Sequence, residues 1–271
     1  MDYDQLIEGI KYFRDKWPST QCEPAHTYES LRNRGPNYWL HLEKLDEAEI
    51  GEEIIRGFLN TKEWNCRIPT STVDKWFKTL TELKKAIDQL PKFYAVLNSY
   101  SIVDVEFEKH ILLDGEQETI LEVIDRIYHA FLRMPTKFGK VPASKLMHMA
   151  LPDLFIMWDN GILDKYCIPM VKLPGVKERQ PIYPAFLILM QEHITHVTDT
   201  YPQKSMLTKQ EIVRKIQSEN DNLEISRLLD MSNMAVRDCE LAICIPCMKK
   251  TKRRWAELGL TSNNNTVDCH E

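Results

Sequence analysis

Residues 135–161, PTKFGKVPASKLMHMALPDLFIMWDNG, decide how the chain is read. Pro135 to Gly139 reads as a tight turn. Pro142 then stands where a helix opens, since a proline lacks only a donor that the first helical turn leaves unused. The helix continues through Leu146, Met147 and Met149, and Leu154 to Trp158 forms a short apolar connector. That connector delivers a single carboxylate, Asp159, just before Asn160-Gly161. Amides at a helix N-terminus attract anions, so Phe138, Gly139 and Lys140, with Lys137 beside them, form a candidate phosphate-gripping turn. Gly139 permits a positive φ or a close backbone approach. The same residues equally fit a plain connection between antiparallel helices, with both lysines solvated.

Helical periodicity extends outward on both sides. Upstream, Ile120, Val123, Ile124, Ile127 and Phe131 line one side of a helix over 119–132. Val73, Phe77, Leu80, Leu83, Ile87 and Leu90 stripe another, closed by Pro91, and Leu42 to Leu59 predicts a helix ending near Asn60. Tyr3, Leu6, Ile7, Ile10 and Phe13 open the chain with an i, i+3, i+4, i+7 stripe. Residues 93–113 are mixed; Ile102 to Phe107 alternates like a short strand, and irregular helix is the preferred reading. Downstream, prolines at 181 and 184 introduce a helix over 183–197, and Thr208 with Glu211 makes a capping box for one reaching about Gln217. Two more helices meet near Pro246, and the tail from 261 to 271 is polar. The expected organisation is a helical domain over 1–200, C-terminal helices over 201–260 packed on it, and a flexible tail. The boundary falls in the polar stretch 198–205, which also fits an inter-helix loop.

Composition agrees with an all-α globular fold. Hydrophobic residues make up 43% and charged residues 28%, and 9 glycines in 271 residues are few for the many turns of an all-β protein. No window is long and apolar enough for a membrane span, and the acidic start MDYDQLIEGIKYF does not read as a secretory signal. Seven irregularly spaced cysteines predict free thiols and a cytoplasmic protein. A net charge of −5 argues against indiscriminate nucleic-acid binding but leaves room for a local basic groove.

The 135–161 segment resembles the helix-hairpin-helix and following acid of the base-excision DNA glycosylase (HhH-GPD) superfamily typified by endonuclease III, over about residues 119–168. Those proteins carry a Leu-Pro-Gly-Val-Gly hairpin, a Thr-Ala-like helix start and an apolar segment ending in Val-Asp. Here Pro135 to Gly139 stands at the hairpin, Val141-Pro142-Ala143 at the helix start and Ile156 to Asp159 at the acidic step. The resemblance implies a two-lobed multi-helix fold with the hairpin near residues 120–151, DNA as partner, and a repair-like N-glycosylase, a hydrolase. Asp159 would stabilise the sugar cation or activate water, and Trp158, Tyr128, Tyr166 or Phe138 would stack on an extruded base.

Departures from the pattern narrow the chemistry. Lys137 replaces the first hairpin glycine, and Val141 occupies the position of the lysine used by strand-cleaving members. The resemblance therefore implies a monofunctional enzyme without Schiff-base chemistry. Lys140 and Lys145 are the candidate substitutes, each needing burial or a cationic neighbour to be deprotonated. His148 reads as a core or surface histidine, with a general base as the bolder reading.

Near the C-terminus, Cys239, Cys244 and Cys247 include a C-x2-C pair, with Cys269 as a distant fourth cysteine. Several members of the superfamily hold a [4Fe–4S] cluster through four cysteines. Zinc also fits, with His270 as a spare ligand. The primary expectation is no cofactor, because such a pair in an apolar helix is ordinarily two small buried residues. Beside it lies a basic run, Lys249, Lys250, Lys252, Arg253 and Arg254, followed by Trp255. It suits phosphate contact with an adjacent aromatic, or simply a solvated helix. The competing functional class is a non-enzymatic helical protein that keeps the hairpin to bind nucleic acid or a protein.

Overall fold

The computed structural model describes residues 1–16, 44–59, 68, 73–132, 139–173 and 179–261. Within them the fold is all-α apart from two small antiparallel hairpins. The helices are α1 (Tyr3–Lys16), α2 (Val73–Ile87), α3 (Leu90–Leu97), α4 (Ile120–Leu132), α5 (Lys140–Ala150), α6 (Asn160–Tyr166), α7 (Tyr183–Thr200), α8 (Lys209–Ser218), α9 (Ile225–Arg237) and α10 (Ile245–Glu257). A helical turn at Glu47–Glu49 runs into π-helical turns over Ile50–Leu59. The strands are β1 (His110–Leu113), β2 (Glu116–Thr119), β3 (Met170–Val171) and β4 (Gln180–Pro181). No helix among the described residues is long and apolar enough to cross a membrane.

The chain forms two compact units: Met1–Lys16 with Ser101–Val105 and Asp153–Glu271, and Trp17–Tyr100 with Glu106–Pro152. The 198–205 stretch, the expected boundary, lies inside the first unit. Local bonding explains why: Lys209 donates to Val103 O at 2.7 Å and to Thr195 Oγ1 at 3.2 Å, bridging the connection to the helix before it.

In the first unit α7 is the central helix. It is apolar nearly all round, as a helix covered on every side should be, and Phe186, Leu187, Ile188, Leu189 and Met190 are all inaccessible. Tyr183 at its start clamps the 154–158 connector. Its hydroxyl donates to Ile156 O at 2.8 Å and accepts from Ile156 N at 3.2 Å. Trp158 packs edge-on to Tyr183 at 4.9 Å between centroids. Gln191 reaches Ile102 O and Val105 O, which ties residues 101–105 to the same helix. On α10, Trp255 donates to Ala185 O at 2.8 Å. The capping box at Thr208 and Glu211 forms as the sequence predicts.

The second unit follows its expected stripes at α2 and α4: Leu80, Leu83 and Ile87, then Ile120, Val123, Ile124, Ile127 and Phe131, are all buried. The first of these helices ends at Ile87, and Pro91 does not close it: Pro91 sits in the first turn of α3, where its missing donor costs nothing, so a new helix starts at Leu90 and runs into the stretch read as irregular helix. Ile102 to Asp104 form turns rather than a strand, and the strands lie further on. β1 and β2 pair from His110↔Thr119 to Leu113↔Glu116. Asp114 (φ 55°) and Gly115 (φ 88°) make the two-residue turn, and Asp-Gly is a preferred sequence for such positive-φ hairpin turns. α5 opens at Gly139, whose φ of 81° bears out the positive-φ expectation. His148 on α5 is fully buried, as a core histidine.

Candidate metal centre

Among the described residues, two helices bring together a cluster of metal-type donors. α10 begins at the C-x2-C pair: Cys244 is its N-cap and Cys247 lies at the third helical position, with Pro246 between them. An i, i+3 offset at a helix start puts both side chains on one face, and Cys244 Sγ stands 2.7 Å from Cys247 Sγ. His196, half-buried on α7, closes the group: its imidazole and the two thiols lie within 4.8 Å of one another. Burial and the hydrogen bond with Cys244 push the Cys247 thiol up to about 12. Cys244 also feels burial, but its contacts with Cys247 and the Met1 ammonium outweigh it and lower its pKa. That ammonium stands 3.3 Å from Cys247 Sγ.

One turn before His196, His193 is fully buried, and both its ring nitrogens lack a hydrogen-bond partner. Burial drives its pKa far below the usual histidine value, and the nearby charges of Met1 and His196 act in the same direction, so the ring is neutral. The edge of Tyr166 meets it at 5.4 Å between centroids. The Tyr166 hydroxyl donates to Asn233 Oδ1 at 2.8 Å. Its pKa is raised by burial and further by the cysteines at 247 and 244.

This set differs from the cysteines grouped in the sequence reading. Cys239 follows α9 in a positive-φ conformation, is exposed, and accepts from Lys165 Nζ at 2.9 Å. Cys269 and His270 lie outside the described residues. The candidate donor that sequence reasoning missed is His196. Its signal was present as His193 and His196 at helical spacing in α7, but it is indistinguishable there from an ordinary helix interior. Composition predicts free thiols, whereas Cys167 is disulfide-bonded.

The expected catalytic acid has structural duties. Asp159 is the N-cap of α6, its Oδ1 accepting from Ile162 N at 2.8 Å. Its Oδ2 accepts from Arg237 Nη1 at 2.7 Å, and Arg237 Nε donates to Asp238 at 2.9 Å. Gly161 makes room for this pair, because a Cβ there would stand 2.6 Å from Arg237 Cγ. Trp158, Tyr128 and Tyr166 are at most 1% exposed, so a base would stack on them only after the core opened. Gly139, Lys140 and Lys145 belong to the second unit and Asp159 to the first. Lys145 is buried and Lys140 half-buried, while Lys137 and Phe138 lie outside the described residues.

Along α10 the basic run divides. Lys250 donates to Glu192 at 2.6 Å; Arg254 bonds Gln191 at 2.9 Å and lies 3.7 Å from Glu192. Lys249, Lys252 and Arg253 face solvent, and Trp255 is buried. A separate concavity of about 590 Å³ in the second unit carries Glu82, Glu118, Glu122 and Asp125 with Lys85 and Arg126, an acid-rich lining poorly suited to a polyanion. No family model, curated protein or solved structure matches the chain.

Proposed function

We propose that this chain is a metal-binding helical protein in which zinc joins α7 to the start of α10 through His196, Cys244 and Cys247. The convergence of those three donors within 4.8 Å carries the reading. Thiolate and imidazole together suit zinc, whereas a [4Fe–4S] cluster takes four thiolates. Zn–S of about 2.3 Å and Zn–N of about 2.0–2.1 Å set tetrahedral donors roughly 3.4–3.8 Å apart. The thiols, at 2.7 Å, need separate by only about 1 Å to accept the ion. Protein expressed in zinc-supplemented medium should carry one zinc per chain by atomic absorption, and Cys244→Ser with Cys247→Ser should lose it. Metal-free wild type whose two cysteines are oxidised together would overturn the assignment in favour of a redox pair.

A second reading, nucleic-acid binding, is favoured by the solvent-facing Lys249, Lys252 and Arg253 on the same helix. With α10 anchored by the metal, these cations would meet phosphates as a rigid strip. Reversing all three charges should abolish duplex binding measured by fluorescence anisotropy, and wild-type affinity should fall steeply with salt. A salt-independent affinity, or none, would dismiss it. The repair-enzyme version additionally requires Asp159 to leave Arg237. Release of a base from damaged oligonucleotides by wild type and not by Asp159→Asn is its test, and the ion pair is the reason we do not adopt it.

A further inference from the structure

We propose that His193 is the fourth ligand of this centre, closing it as a Cys2His2 site; this rests on the zinc reading above. His193 and His196 are one turn apart on α7, as Cys244 and Cys247 are at the start of α10, and His196 meets both thiols within 4.8 Å. α7 packs against α10, which brings His196 to the thiols and leaves His193 one turn away.

Three observations single out His193. It is fully buried with both ring nitrogens unpartnered, in an interior where polar groups are normally satisfied. It lies one turn from His196 on the same helix, with Tyr166 packed against its ring. Finally, the three convergent donors leave a tetrahedral ion one position short, and buried structural zinc sites are filled by four protein ligands. His193 lies outside the set of three whose donors meet within 4.8 Å, so it joins by turning its ring toward the thiols. Coordination then satisfies one of the two orphaned nitrogens. A site so closed has no position for a reacting water and is structural, whereas a three-ligand site would be open to solvent through half-buried His196.

The competing fourth donor is the Met1 amino group, 3.3 Å from Cys247 Sγ. Cobalt(II) distinguishes the possibilities, because four-coordinate cobalt–thiolate sites absorb strongly in the visible and near ultraviolet. Wild-type protein titrated with cobalt should show intense tetrahedral bands. His193→Gln, checked for folding by circular dichroism, should bind cobalt at least about tenfold more weakly, with altered bands. His193→Cys should restore tight binding and raise the thiolate charge-transfer intensity by about half, three thiolates replacing two. That variant keeps the test alive should His193→Gln fail to fold. A two-residue extension before Met1 should leave the wild-type spectrum unchanged. Unaltered affinity and spectrum in His193→Gln, or no added charge transfer in His193→Cys, would overturn the fourth-ligand assignment while leaving zinc binding intact. Absence of cobalt bands in the wild type would instead remove the zinc reading itself.

Discussion

α1 is held against α9 by a contact that leaves no room for a side chain. A Cβ added at Gly9 would stand 2.2 Å from Ser232 Oγ and 2.8 Å from both Ser232 Cα and Cβ. Favourable carbon contacts lie at about 3.5–4.0 Å, so Gly9→Ala must push the helices apart by roughly 1 Å. Rotating the serine hydroxyl away relieves the shortest contact alone, because the obstacle at 2.8 Å includes backbone. Overpacking of this kind costs about 1–3 kcal/mol. Alanine regains about 1 kcal/mol of helix propensity over glycine, and the steric term outweighs it. The difference spans about 0–2 kcal/mol, and a net loss toward the upper end is expected because the obstacle includes backbone.

The displacement should also loosen Ser232 Oγ from Met1 Sδ, now 3.2 Å away. Urea unfolding followed by tryptophan fluorescence is a suitable assay, since Trp158 and Trp255 are buried in the same unit. Ser232→Gly should rescue Gly9→Ala in part, with a coupling of about 1 kcal/mol in a double-mutant cycle, because it removes Oγ and Cβ but leaves Cα. A Gly9→Ala midpoint equal to or above wild type would refute the close approach, since propensity alone would then be operating.

The remaining predictions concern the carboxylates around Arg237. Asp159→Asn keeps an acceptor for Ile162 N but loses the partly exposed ion pair, and should cost no more than about 1 kcal/mol; Asp159→Ala loses the cap as well and should cost about 2 kcal/mol. Equal losses in the two variants, read from urea midpoints, would remove the cap from the account. Asp238 is partly desolvated, which acts to raise its pKa. Hydrogen bonds from Arg237, Lys16 and Tyr12 outweigh that and hold it well below the usual carboxylate range. Its folded pKa is thus below its unfolded value of about 3.9. The stabilisation it provides is full above that value and disappears as pH falls through it toward the folded pKa. The gap in urea midpoint between wild type and Asp238→Asn should therefore be constant from neutrality to about pH 5 and narrow below about pH 4. A gap that widened in acid would invert the assigned sign.

How far the chain could be read from its residues depended on the distance over which each signal acts. Thr208 and Glu211 satisfy each other within one turn, and the stripe from Ile120 to Phe131 is set by helix geometry alone, so both were legible. Asp114-Gly115 was an equally local signal for the β1–β2 turn, but residues 93–113 were read as irregular helix, with a strand only as the alternative at 102–107. Asp159 could be recognised as a cap because Ile162 is near in sequence. Its second partner, Arg237, is 78 residues away and is placed by α9 packing on α6. The His196, Cys244 and Cys247 cluster follows the same rule. Cys244 and Cys247 announced themselves through spacing, and spacing also made Cys239 look like their companion. Its positive φ at the end of α9 instead sends it to Lys165. The true neighbour of the pair is chosen by which face of α7 meets the start of α10, and no count of residues between cysteines encodes that choice. Two histidines one turn apart in the polar second half of α7 were the only trace of it in the sequence. Their significance depends on one of them being buried with nothing to bond, a property that packing creates and sequence does not display.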